Sequence, residues 1–218
     1  MASGRSLATV WYWLGALGFI IAMAPATSGS AMANESTNAL LSAIVQRSFE
    51  PGSVDAGYRW LATRVAKALP DEPVNDRIAA AAVATFQGPR PSFRDVTATY
   101  RIFETRNWAE TFFAKQLMLM SGANAMPGVV TEFTISAPNG ATMLNHCRLS
   151  AVGEAIDCLY LDPNLSVVIE LRAGPSPRLD SHTTRQGLID AFRAGEGAIA
   201  VTSVMPAARA HLRRAAGL

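Results

Sequence analysis

Residues 131–173 constrain the fold more than any other stretch, because four short apolar segments alternate there with turn-forming residues. The segments are TEFTIS, ATMLNHCRLS, IDCLYLD and SVVIELRA, separated by APNG, AVGEA and PNL. Asn139-Gly140 and Gly153 accept a positive φ, and Pro163-Asn164 presets a type I corner. Each segment therefore reads as a strand, and the four together as an antiparallel meander.

One loop choice fixes the register. With Val152-Gly153 as a two-residue turn, Cys147 faces Cys158, Leu149 faces Ile156 and Arg148 faces Asp157. A cysteine pair, an apolar pair and an opposite-charge pair all align, and a slip of one residue loses all three. Directly opposed strand residues have Cα atoms about 4.5–5.5 Å apart, within disulfide range. The chain has only 2 cysteines. In an oxidising compartment they are expected to form a disulfide, Cys147–Cys158; in a reducing one they would be two buried thiols.

The N-terminus speaks to the compartment. Arg5 precedes an uncharged run over 7–24, and a small-residue stretch follows, ending in Ala31-Met32-Ala33. These are the three parts of a secretory signal peptide, which predicts cleavage after Ala33, with Ala24-Pro25-Ala26 offering a second site. The competing expectation is an uncleaved inner-membrane anchor formed by residues 7–24, the only route by which this chain would meet a membrane. No cysteine flanks the run, so lipid attachment there is excluded, and no twin-arginine pair precedes it, so general secretion is the expected route. The expected organisation is a signal peptide over 1–33 and a single α+β domain over 34–218, periplasmic or secreted.

Charge excludes one class of partner. Nineteen basic residues against seventeen acidic ones leave the chain nearly neutral, which gives nucleic acid no footprint. Arginine far outnumbers lysine, as expected if the source is a GC-rich bacterial genome. Half the chain is apolar without long charge runs, so it is expected to fold rather than stay disordered.

Around the meander the pattern predicts helices and two more strands. Residues 36–49 place Leu40, Leu41, Ile44, Val45 and Phe49 on one helical stripe, with Ser36 or Thr37 as cap. Residues 53–69 repeat this with Tyr58, Leu61, Ala62, Val65 and Leu69. The alanine-rich stretch 73–86 reads as a third helix with a flat packing face. Residues 95–103 alternate Val96, Ala98, Tyr100 and Ile102 with Thr97, Thr99 and Arg101, which is a strand. Asn107 is expected to open a buried helix, with Glu110 completing a capping box and Met118 and Met120 filling core. A helix capped by Ser181 runs through Leu188, Ile189 and Phe192 to Gly195. A last strand is expected over 198–204, AIAVTSV, before Pro206 opens a terminal helix whose Arg209, Arg213 and Arg214 are solvated and complement the helix dipole.

Chemistry is sparse. None of His146, His182 and His211 has ligand spacing, so neither a metal nor a cofactor is expected. Nucleophile-elbow, phosphate-loop and CxxC signatures are missing, and no catalytic residue is assigned. The best constellation comes from the register: the face bearing Arg148 also carries His146, Asp157, Leu159, Val168 and Glu170, with Phe133, Leu144 and Leu161 at its apolar end. On this face His146, Arg148 and Asp157 are the candidate binding residues. The plainer expectation is an Arg148–Asp157 surface pair with His146 satisfied in the core. The opposite face, with Cys147, Leu149, Ile156, Cys158, Tyr160, Val167, Ile169 and Leu171, needs a helical cover. The function expected is an exported, non-enzymatic cell-envelope domain that binds an unidentified partner or small ligand. The alternative is a small exported hydrolase using His146 as general base.

Overall fold

The computed structural model describes residues 28–66, 77–121, 145–149, 155–174, 187, 190, 191 and 194–218. The architecture is α+β. Helix α1 (Ser28–Gln46) leads into three strands, β1 (Arg59–Val65), β2 (Ile78–Gln87) and β3 (Asp95–Phe103). Helix α2 (Arg106–Ser121) then crosses to β4 (Asn145–Leu149), β5 (Ile156–Leu161) and β6 (Val167–Gly174), and α3 (Glu196–Ala215) closes the chain. The strands form one six-stranded sheet in the order β1-β2-β3-β6-β5-β4. Every neighbouring pair is antiparallel.

The middle of the sheet obeys the period of two. Along β3, Val96, Ala98, Tyr100 and Ile102 are buried on one face, and β6 continues it with Val167, Ile169, Leu171 and Ala173. Backbone pairing in β4–β5 sets Cys147 opposite Cys158, Arg148 opposite Asp157 and Leu149 opposite Ile156, the register read from the turn. The expected first meander strand, 131–136, lies outside the described residues.

Three elements correct the sequence reading. Residues 53–69 were expected to be helical, but the chain turns through 51–57 and then forms β1. A bulge between Trp60 and Ala62 breaks the alternation. Register puts Trp60, Thr63 and Val65 on one face across that extra residue, so the expected stripe mixes positions: Tyr58 is buried, whereas Leu61 and Ala62 are exposed. Residues 78–87, expected to be helix, form β2. Ala80, Ala82 and Ala84 occupy its inward face, and alanine's helix propensity is overridden by pairing on both sides. The expected strand 198–204 lies inside α3. Its buried residues Ala200, Val201, Val204, Met205, Ala207, Ala208, His211 and Leu212 fall on one helical stripe, and that burial outweighs the β-branched composition. Pro206 sits within the helix rather than opening it, on the exposed side.

Smaller differences concern ends and surfaces. Helix α1 starts at Ser28, ahead of the expected caps Ser36 and Thr37. Thr105 caps α2 by accepting the Trp108 N–H at 3.4 Å, while Glu110 pairs with Arg106 instead of closing a capping box. Helix α2 buries only its Ala109, Phe112 and Phe113 side, and Met118 is exposed rather than core. Met120's side chain and most of the helix expected after Ser181 lie outside the described residues, although Gly187, Asp190 and Ala191 are helical.

Helices α1 and α3 cover one face of the sheet, where the alanines of β2 let α1 approach through Leu40, Leu41 and Ile44. On the other face α2 covers one end only, packing Ala109, Phe112 and Phe113 on Phe103, Leu159, Leu161 and Val168. No helix among the described residues is long and apolar enough to cross a membrane; residues 7–24 lie outside them.

Candidate functional site

On the face that α2 leaves open, backbone register lines up Thr97, Arg172, Asp157 and Arg148 across four strands, and beside them Thr99, Glu170, Leu159 and His146. Three of the candidate residues, His146, Arg148 and Asp157, thus share a face and adjoining rows. The side chains of 145–149 lie outside the described residues. Asp157 lies 3.7 Å from Arg172, its β6 neighbour, in a half-exposed ion pair. Deeper in the face Arg101 holds Glu170 at 2.5 Å, and its guanidinium stacks over Phe112 at 5.5 Å. These are pairings of satisfied charge.

The described histidine of the chain interior is His211. It is fully buried, stacks on Phe49 with ring centroids 4.1 Å apart, and places Nε2 2.9 Å from the Ile44 carbonyl. A carbonyl only accepts, so Nε2 carries the proton, and Nδ1 has no hydrogen-bond partner. Burial pushes its pKa down, opposed by the Ile44 bond and helped by the cations Arg214 and Arg47. His211 ties α3 to α1 across the core, so its role is packing. Tyr100, fully buried beneath it, donates to the Ala208 carbonyl at 3.2 Å, and burial raises its pKa far above the usual phenol.

Of the C-terminal arginines expected to be solvated, Arg213 is exposed in the last turn of α3, whereas Arg209 and Arg214 are engaged. Arg209 stacks over Tyr160 at 4.2 Å, and Arg214 pairs with Glu50 at 3.0 Å. Tyr160 in turn donates to Asp162 at 3.2 Å, and the buried Asp162 accepts the Asn164 and Leu165 N–H groups. Arg106 donates to the carbonyls of Asp162 and Leu165. This network fixes the β5–β6 corner.

An open-sided groove of about 280 Å³ lies at the end of the β1–β2 hairpin, lined by Gly57, Arg59, Gln87, Gly88, Pro89, Pro91 and Arg94. Its floor is tightly built. The Tyr58 ring lies under Gly88 so closely that a Cβ there would sit 2.1 Å from Tyr58 Cε1. Tyr58 donates to the Phe93 carbonyl at 2.8 Å, and desolvation raises its pKa to about 12. Gly57 takes a φ of +77° against Pro89. Arg59 donates to Gln87 Oε1 at 2.7 Å, so a neutral acceptor holds this cation in place. Among the described residues no carboxylate lies within ion-pair distance of Arg59 or Arg94; Glu196 pairs with Arg90 at 3.9 Å.

Sequence reasoning missed this groove. Arg59 fell inside an expected helix, and the segment Gly88-Pro89-Arg90-Pro91 signalled only irregular structure. The one available signal was the density of glycine and proline around two arginines. No protein-family model matches the chain, and no curated protein and no solved structure matches it either.

Proposed function

We propose that the chain is an exported cell-envelope domain that binds a small ligand or partner rather than transforming one. The observation that supports this is the lining of the groove: seven residues supply hydrogen-bond donors and rigid backbone, and none is a nucleophile or a general base. The reading includes processing after Ala33, release into an oxidising compartment and a Cys147–Cys158 disulfide across β4 and β5. Backbone pairing of the two positions supports the bridge by meeting its distance requirement. It would be structural, since the spacing is not that of a redox pair and Cys158 is buried in an apolar surround.

The alternative, hydrolysis with His146 as base, is favoured by one observation: register sets His146 diagonally across the neighbouring strand from Asp157, so a carboxylate stands beside it on the same face.

Fractionation of cells expressing the full chain tests the proposal. The expected product is outside the cytoplasm, begins at Asn34 and, when alkylated without reduction, carries no modified thiol. An intact Met1 on a membrane-bound product, or two alkylated cysteines, overturns the corresponding part. Ester, amide and phosphoester panels should show no turnover that His146→Ala removes; turnover lost in that variant establishes the hydrolase instead.

A further inference from the structure

We infer that the groove at the end of the β1–β2 hairpin is a binding site for a small molecule bearing a carboxylate. This rests on the reading of the groove as a ligand site and names the chemistry of what enters it.

The argument begins with charge. Arg59 and Arg94 both line one concavity, and no carboxylate among the described residues pairs with either. Register aligns Asp95 with Gln87 on the far side from Arg59, yet no ion pair joins Asp95 to either arginine. Elsewhere among the described residues several cations are paired, Arg101 with Glu170, Arg106 with Glu110, Arg172 with Asp157 and Arg214 with Glu50, while Arg47, Arg64 and Arg213 stand singly on the exposed surface. In the groove two arginines line one concavity and neither is in an ion pair with a described residue.

Positioning is the second part. Arg59 is held by the Gln87 amide oxygen, an acceptor that orients the guanidinium without neutralising it. One Nη2 donor is spent there and the rest of the fork remains for an incoming acceptor. The walls are stiff because Pro89 and Pro91 have fixed φ and Gly88 is pressed against Tyr58. Such a site loses little side-chain and loop freedom on binding, which improves affinity for a small ligand.

The donor set then selects the anion. Phosphate sites are commonly built from clustered backbone N–H groups in nests or at helix N-termini. Here Pro89 and Pro91 have no N–H, and the Gly88 N–H is spent on the Arg94 carbonyl at 2.7 Å. The arginine fork matches carboxylate and phosphate alike, so the preference for a carboxylate rests on the missing cradle of backbone N–H groups at Gly88, Pro89 and Pro91. The volume, about 280 Å³, falls just below the roughly 300–1,000 Å³ of small-molecule clefts and suits a compact organic acid.

The test is titration of the purified exported protein, followed by backbone amide NMR and calorimetry. The probes are succinate, citrate, the neutral succinamide and inorganic phosphate. Succinate or citrate is expected to shift the amides of Gly57, Gln87 and Gly88, with affinity falling as salt rises. Arg94→Gln and Arg59→Gln should each weaken that binding about tenfold or more, at unchanged melting temperature. Arg213→Gln, an exposed arginine in the last turn of α3, should leave it unaltered. Phosphate or succinamide binding as tightly as succinate overturns the carboxylate assignment while leaving a ligand site in the groove. No shift at the groove amides with any of the four probes overturns both the assignment and the reading of the groove as a ligand site.

Discussion

On one face of the sheet Tyr100, Tyr160, Ile169 and Leu171 lie fully buried beneath α1 and α3. On the other, one residue along the same strands, Thr99, Arg101, Glu170 and Asp157 are only half-buried, and α2 covers the apolar end alone. The backbone is shared, so the contrast isolates side-chain environment. On the dry face stability comes from apolar area and from polar groups that each find one partner, as Tyr100 does at Ala208 and His211 at Ile44. On the wet face charges are paired laterally in a setting that water screens, and each pair contributes little.

The largest break in this symmetry should come from removing bulk on the dry face. Leu171 is buried between the sheet and α3. Leu171→Ala is expected to cost about 2–5 kcal/mol, while Thr99→Val on the other face should stay within about 1 kcal/mol. Urea unfolding of the two variants checks this; comparable costs would mean that the wet face is packed as tightly as the dry one.

Glu170 probes the middle of the wet face, where exposure is lower. Its partner Arg101 is only 11% exposed, so Glu170→Ala leaves a cation with restricted access to water. The expected loss is about 1–3 kcal/mol, between that of an exposed pair and that of a fully buried one. A double-mutant cycle with Arg101→Met should recover part of it, because the stranded charge is then removed as well.

The dry face was legible where strands alternate in β-branched and aromatic residues. Val96 to Ile102 and Ile156 to Leu171 gave both strand identity and register, because a slip would have exposed every apolar residue. It was illegible where one residue type suits two structures. Alanine in β2 carries no mark of a half-buried strand, and the bulge at Leu61 replaced a period of two by a gap of three. In α3 the β-branched Ile199, Val201 and Val204 imitate a strand, and only the pairs 200/201, 204/205, 207/208 and 211/212 carry the helical period. The groove lay beyond such reading because Arg59 and the segment 87–94 meet only through β1–β2 pairing.

His211 adds a pH dependence to the dry face. Its folded pKa is depressed by burial, so the unfolded chain binds the proton more readily. Stability is then whole above the unfolded value of about 6.5 and is lost as pH falls toward the depressed folded value. The loss amounts to about 1.4 kcal/mol for each unit of depression. The surroundings reinforce the sign, since Arg214 and Arg47 repel an imidazolium and Nδ1 has no acceptor waiting. Urea midpoints of the protein and of His211→Phe, compared from pH 8 to pH 5, should converge as the histidine protonates. Parallel curves would show that the imidazole is not shielded.

The smallest effect is expected at Asp157. Its pair with Arg172 spans 3.7 Å, with the arginine side chain 57% exposed, so screening leaves little to lose. Asp157→Asn keeps the volume and removes the charge, and should change stability by no more than about 0.5 kcal/mol in either direction. The register gives this position a second basic neighbour, Arg148, on β4. If the carboxylate sits between two cations that matter, the asparagine variant will lose more than that, and the loss will shrink in high salt. A cost above about 1 kcal/mol that salt abolishes would therefore mark the wet face as an electrostatic network, and the contrast between the faces would be one of mechanism rather than of strength.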